Sequence, residues 1–467
     1  MPVHGHIVSA SIIIKQVLRG ITMNNSNSEL WDKIRKQFDS SPFPRIPLDK
    51  SPKDDINALY IHNIITSYYL RNQKVIDTKD KVILDAGCGS GYKSLILASA
   101  NPHAKIVGVD ISEESIKLAQ QRLEYHGFDN VEFHLLSIYS LPELNYQFDY
   151  INCDEVLYLL PDISVALQAM KAVLKPEGII RTNLHSYMQR FNYFRAQKIC
   201  KMMGLMDDTP GEMEIEIVND TMTALKDDVT LKATIWNPNL NIYQSENGQE
   251  RILVNYLLQG DKGYSINDMF SALRSADLEF IKMRNWRQWD LMNLFKNPDN
   301  LPAFLGMSLP EASIEEQLQL FELLHPVHRL LDFWCGHPQA GNPFIPVLEW
   351  SDSEWEKATV HLHPQLKTPG FKQDLIACVS EGKTFPIRKY LALNEELVYV
   401  DSSMALCLLL LFDQPLSMMS LVAQWQQLRP IDPLTAAPID KLRVFHLLQK
   451  FLLLLEDFDY IMLETQA

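Results

Sequence analysis

Lys81-Val82-Ile83-Leu84-Asp85-Ala86-Gly87-Cys88-Gly89-Ser90-Gly91-Tyr92-Lys93 reads as a short β-strand that runs through a glycine turn into a helix. Glycines at such a turn let the backbone take positive φ and let a ligand approach without obstruction by Cβ. The turn alone is shared by nucleotide and dinucleotide sites. Two details narrow it. The glycines fall as G-x-G-x-G rather than G-x-G-x-x-G, and Asp85 ends the strand just before the turn. A carboxylate there repels a pyrophosphate resting on the helix N-terminus and suits a phosphate-free ligand carrying an ammonium and a sulfonium.

Working outward, Asp110 lies 19 positions after Gly91, at the end of a second strand-like run, Lys105 to Val109. A carboxylate at that place can accept hydrogen bonds from both hydroxyls of a ribose. Ser112 with Glu113 and Glu114 then caps the next helix. From Val82 the pattern alternates: Val82 to Leu84, Ser94 to Ala100, Ile106 to Val109, Glu113 to Tyr125, Val131 to Leu135, Phe148 to Ile151, Val165 to Leu174 and Ile179 to Leu184. Strands separated by helices of this length predict an α/β protein with a doubly wound, Rossmann-like parallel sheet. A helix to Ala276 and the run Leu278 to Met283 read as a further helix and strand of the sheet.

The predicted organisation is a loose leader at 1–28, an extended segment and helix at 29–74, a ligand-binding core at 75–185, an insertion or substrate lid at 186–255, the end of the sheet at 256–298 and a helix-rich C-terminal domain at 299–467. The prolines of Pro42-Phe43-Pro44-Arg45-Ile46-Pro47 forbid a helix there. The span 186–255 is too long for a simple connection.

A chain of 467 residues exceeds what one core usually serves, and 46% hydrophobic residues give it ample material to bury. The formal net charge of -15 and pI near 5.3 work against nucleic acid and anionic membranes, which are bound largely through Lys and Arg. Cys88, Cys153, Cys200, Cys335, Cys378 and Cys407 stand far apart, which fits a reducing compartment. Lys15 and Arg19 break up the apolar run at Ile7 to Ile14, so no secretory signal is expected. The runs Leu406 to Phe412 and Leu447 to Leu455 are shorter than the ~20 residues of a membrane helix and read as buried core helices. A soluble, cytoplasmic protein is predicted, and the sequence carries no mark of its oligomeric state.

At this point the residues resemble a family, the class I S-adenosylmethionine-dependent methyltransferases. Asp85-Ala-Gly-Cys-Gly-Ser-Gly91 is similar to its glycine motif and Asp110 to its ribose-binding acid. The likeness continues through Phe148-Asp149-Tyr150-Ile-Asn-Cys153-Asp-Glu155-Val-Leu157 and Leu174-Lys-Pro-Glu-Gly178. The resemblance implies S-adenosylmethionine as cofactor. It implies that Asp85 and the backbone of Gly87, Cys88, Gly89 and Gly91 hold the methionine moiety, that Asp110 with Ile111 holds the ribose, that the Ser137 and Ile138 region holds the adenine, and that the Cys153 carbonyl holds the amino group. Ser137 departs from the acid that many members carry there. Pro42-Phe43-Pro44-Arg45 is similar to a stretch found ahead of the catalytic domain in some bacterial methyltransferases, where it either closes over the cofactor or staples the leader to the sheet.

Methyl transfer from a sulfonium needs no covalent enzyme intermediate, so positioning and exclusion of water supply most of the rate. A general base helps when the acceptor must lose a proton. Glu155, Tyr158 and His185 follow the fourth and fifth strands and are the candidate catalytic residues. His325, His328, Cys335 and His337 invite a zinc site, but their irregular spacing among apolar residues reads as packing, and no metal is expected. No Asn-Pro-Pro-Tyr signature is present. The acceptor is expected to be a protein or a small molecule; the rival reading is a cofactor-binding scaffold without turnover.

Overall fold

The computed structural model describes residues 25–236, 246–339, 344–392, 398–431 and 436–465. Of the expected leader, residues 1–24 lie outside the described residues. The boundary expected at 28/29 is corrected, because a helix, Asn25–Ser40, runs across it and stops two residues short of Pro42. The chain divides into two compact units. The first gathers the described residues up to Lys50 with Val82–Leu95 and Lys105–Pro338; the second gathers Ser51–Lys81, Ile96–Ala104 and the described residues from Gln339 onward.

The first unit is built on a seven-stranded sheet made of Val82–Ala86 (β1), Lys105–Asp110 (β2), Val131–Leu135 (β3), Phe148–Cys153 (β4), Leu174–His185 (β5), Glu279–Met283 (β6) and Leu330–Gly336 (β7). Their order is β3-β2-β1-β4-β5-β7-β6. Neighbouring strands from β3 to β5 are parallel, and β7 runs antiparallel to both β5 and β6. The doubly wound α/β fold read from the alternation is therefore present. Every residue of β4 is buried, Asp149 and Asn152 included, so the strand shows no period-two alternation of apolar and polar residues. Chain order reverses between β1 and β4, and the crevice beyond their carboxyl ends is where open sheets of this kind bind ligands.

The boundary at 298/299 is also corrected. Leu330–Gly336 lies beyond it yet enters the sheet between β5 and β6. From Leu331 to Gly336 this strand is buried throughout, so it carries no period-two signal to separate it from the helix before it, Ile314–Leu324. Within 186–255 the described residues form helices Tyr187–Met202, Glu212–Ala224, Thr230–Ile235 and Glu246–Tyr256. Cys200, Ile215, Met222, Ile252 and Leu253 belong to one apolar cluster there.

The second unit carries helices around a three-stranded antiparallel sheet, with Ala358–Leu362 between Leu416–Ser417 and Ile461–Thr465. The apolar runs at 406–412 and 447–455 fall in helices Ser402–Asp413 and Lys441–Asp457, which supply Leu408, Leu448 and Leu452 to its core. Among the described residues no helix is long and apolar enough to cross a membrane.

Candidate functional site

The glycine turn follows β1 and is pinned from below. Gly87 N–H and Cys88 N–H both donate to the Val109 carbonyl, at 2.8 and 2.9 Å. Gly89 has φ +51°, and a Cβ there would stand 2.2 Å from the Phe43 carbonyl oxygen. Gly91 has φ +79°, with the Ala119 Cα 2.6 Å from where its Cβ would be. Only glycine satisfies both the left-handed backbone and the close approach.

What approaches Gly89 is the proline-rich segment. Ser90 donates its N–H to the Phe43 carbonyl at 2.9 Å and its hydroxyl to the Pro44 carbonyl at 2.8 Å. Buried Arg122 ties the two pieces together, donating to the carbonyls of Ser90, Ile46 and Pro47 at 2.9, 2.7 and 2.8 Å. Thus the segment fastens to the turn, and it also forms a wall: Phe43, Pro44 and Ile46, together with Trp31, Ile34 and Phe38 from the first helix, line a cavity of about 330 Å³ over the glycines. That volume falls within the range of small-ligand pockets, about 300–1,000 Å³.

Gly87, Cys88, Gly89, Asp110, Ile111 and Ile138 line this cavity as well, as do Leu136 and Glu155. Asp110 is fixed by backbone donors: Gly89 N–H to Oδ2 and Ser112 N–H to Oδ1, each at 2.9 Å, with Ile111 N–H beside them. Burial raises its pKa, with those donors pulling the other way. Four sequence-predicted residues stand elsewhere. Asp85 lies beneath the turn, accepting from the Ser94 hydroxyl at 2.6 Å and from Asn152 Nδ2 at 2.9 Å, and burial pushes its carboxyl up to about 6. Ser137 uses its hydroxyl to accept from Tyr139 N–H at 3.3 Å, capping the short 3-10 turn that follows. Cys153 ends β4 fully buried, and Gly91 faces Ala119.

The three candidate catalytic residues come together beyond the ends of β4 and β5. Glu155 takes φ +63°, a left-handed conformation rarely adopted by such a residue, and donates its N–H to Asn183 Oδ1 at 2.8 Å. Tyr158 donates its hydroxyl to Glu155 Oε2 at 2.9 Å, and its ring stacks on His185 with centroids 3.7 Å apart. Two residues missed from the sequence complete the cluster. Asp261 Oδ1 lies 2.7 Å from His185 Nδ1, while its other oxygen accepts from Gln197 at 2.8 Å and Arg190 at 3.2 Å. Arg329 bridges Glu155 with two guanidinium nitrogens and places NH1 3.1 Å from His185 Nε2. Burial raises the Glu155 carboxyl, but the Arg329 charge and hydrogen bonds outweigh it and hold it below the usual range. Burial lowers the His185 pKa against the opposing pull of Asp261.

The candidate zinc residues are not assembled. Cys335 is buried within β7, His328 stacks on Trp289 at 4.4 Å, and His337 Nε2 contacts the Leu174 carbonyl at 3.2 Å. Among the described residues no group of three His, Cys, Asp or Glu side chains is placed to hold a metal ion.

Comparison with known proteins agrees with this geometry. Residues 77–254 match the family described as a methyltransferase domain. An uncharacterised protein of Synechococcus is 25% identical over 322 residues, covering 68% of this chain and 73% of the other. A ubiquinone biosynthesis O-methyltransferase of Actinobacillus pleuropneumoniae is 29% identical over 147 residues, which are 29% of this chain and 61% of that enzyme. Among solved structures, PKMT2 from Rickettsia typhi shares the fold over 87% of this chain and 75% of its own, with TM-score 0.55 and 16% identity. Residues 77–254 of the chain thus carry a methyltransferase domain.

Proposed function

We propose that the cavity over the glycine turn seats S-adenosylmethionine and that the cluster beyond β4 and β5 receives the acceptor of its methyl group. The observation that carries the reading is the carboxylate of Asp110, held at the cavity wall by Gly89 and Ser112 N–H. A carboxylate offers about four lone-pair sites, so its backbone donors leave it capacity to accept from a ribose hydroxyl. A pyrophosphate is disfavoured by the same feature, since it would meet this acid and, below the turn, Asp85.

The backbone of Gly87, Cys88 and Gly89 cradles the methionine end, and Leu136 and Ile138 flank the adenine with Ile111 beside the sugar. Asp85 braces the turn from below through Ser94 and Asn152. The sulfonium supplies an already activated methyl group. The chain's part is to orient the two reactants and keep water out, for which Trp31, Ile34 and Phe38 are suited.

The acidic balance of the chain favours a protein or small molecule as acceptor over nucleic acid. Incubating the purified chain with methyl-labelled S-adenosylmethionine and a cell extract is expected to yield a labelled product, which the Asp110→Ala variant makes far more slowly. Binding of the nucleoside without any labelled product in any fraction would overturn the proposed turnover.

A further inference from the structure

His185, Asp261 and Arg329 form an arrangement that positioning of the methyl donor does not require. Asp261 Oδ2 is occupied by Gln197 and Arg190, and Oδ1 faces His185 Nδ1 at 2.7 Å. The acid is held below the usual carboxylate range: burial raises it, but His185 and Arg190 outweigh that. A carboxylate only accepts, so the proton sits on Nδ1, and Nε2 carries the lone pair. Burial keeps the ring neutral, aided by the Arg190 charge, against the pull of Asp261 and Glu155. The ring cannot turn away, because Tyr158 stacks on one face at 3.7 Å. Nε2 faces the guanidinium of Arg329 at 3.1 Å, with Glu155 Oε2 next at 3.8 Å; the Arg329 side chain is 46% exposed and also grips the cavity-lining Glu155.

A neutral imidazole with its tautomer set by a buried carboxylate is the form a general base takes. We infer that His185 is the base for methyl transfer, that Asp261 positions it, and that Arg329 stops its basic nitrogen until an acceptor takes the guanidinium's place. The acceptor class follows: the attacking atom is a hydroxyl oxygen or an amine nitrogen that bears a proton it must lose, not a thiolate or a tertiary amine. In the step, the acceptor atom bonds to the methyl carbon, the carbon–sulfur bond breaks with its electron pair left on sulfur as a thioether, and the acceptor's proton passes to His185 Nε2. The imidazolium so formed is stabilised by Asp261. This rests on the methyl-transfer reading above.

The test uses the full chain with histidine labelled in ¹⁵N. His185 is expected to appear as a neutral ring protonated at Nδ1, and Asp261→Asn is expected to abolish that tautomer. Brief treatment with diethyl pyrocarbonate, which acylates an unprotonated imidazole nitrogen, is expected to modify His185 at least tenfold faster in Arg329→Ala and Arg329→Gln than in the parent. In the labelled-methyl assay His185→Gln is expected to lose product formation by about a hundredfold or more, with S-adenosylhomocysteine affinity by calorimetry within threefold of the parent. An Nε2-protonated or charged ring at neutral pH, equal modification rates in variants that stay folded by circular dichroism, or product formation within threefold in His185→Gln overturns the inference. Loss of S-adenosylhomocysteine binding in the parent itself would instead overturn the reading on which it rests.

Discussion

At the glycine turn the groups that shape the cavity floor come from one short piece of chain: Gly87 to Gly91 follow β1, Asp110 ends β2, and one carboxylate clamps the two through Gly89 and Ser112. Beyond β4 and β5 the corresponding groups come from places far apart, Asp261 lying 76 positions and Arg329 144 positions from the histidine they both touch. The first region is a backbone device, in which missing side chains and fixed amides shape the cavity floor. The second is a network of paired charges in which each group sets the state of the next. Chemistry that every member of a fold must perform can be written into contiguous residues, whereas chemistry particular to one acceptor is assembled across the chain. Burial alone does not make the second kind of site. His363, in the other unit, is also fully buried, but its nitrogens meet the Thr66 hydroxyl at 3.0 Å and the Gln365 N–H at 3.2 Å, and burial pushes it down to about 3. With no carboxylate behind it, it is a packing residue.

The comparison breaks most sharply at Gly89. Gly89→Val places a branched side chain against the Phe43 carbonyl on a backbone of positive φ, and calorimetry is expected to find no measurable S-adenosylhomocysteine binding while the fold persists by circular dichroism. Asp110→Ala comes next. Losing two charge-assisted hydrogen bonds, each about 1.5–3 kcal/mol, is expected to weaken that binding by at least about a hundredfold. Arg122→Met tests the clamp on the proline-rich segment rather than the turn itself. Three carbonyls lose their donor, so chemical denaturation is expected to show a loss of roughly 4 kcal/mol, with a smaller effect on affinity.

The smallest effect concerns Asp85. Its carboxyl, pushed up to about 6 by burial, holds its proton more tightly folded than unfolded, where the usual value is 3.8. The stability it contributes is therefore present at low pH and falls as pH rises from about 4 to about 6, then stays level. Asp85→Asn is expected to flatten that part of the stability curve, by up to roughly 3 kcal/mol, as read from denaturation at pH 4, 5, 6 and 7.

The strands from β1 to β6, the turn and Asp110 were legible because each rests on local pattern: apolar runs, glycine spacing and a fixed distance between strand ends. Glu155, Tyr158 and His185 were legible as candidates because they follow strand ends, though nothing in their spacing showed that they touch. Asp261 and Arg329 carried no signal, since a partner found by tertiary folding leaves no period in the chain. For the same reason Trp31, Ile34 and Phe38 read only as an amphipathic stretch, and fully buried β7 was assigned to the wrong side of a boundary. Asp85 was legible as a motif residue expected to hold the methionine end of the ligand, whereas its partners Ser94 and Asn152 left no signal in the spacing.

The most direct measurement is a pair of calorimetric titrations of the purified chain, one with S-adenosylhomocysteine and one with NAD. A site whose floor is a phosphate-repelling turn and whose wall is the Asp110 carboxylate should bind the first and ignore the second. Binding of the dinucleotide, with no heat from the thioether nucleoside, would contradict the account at its root.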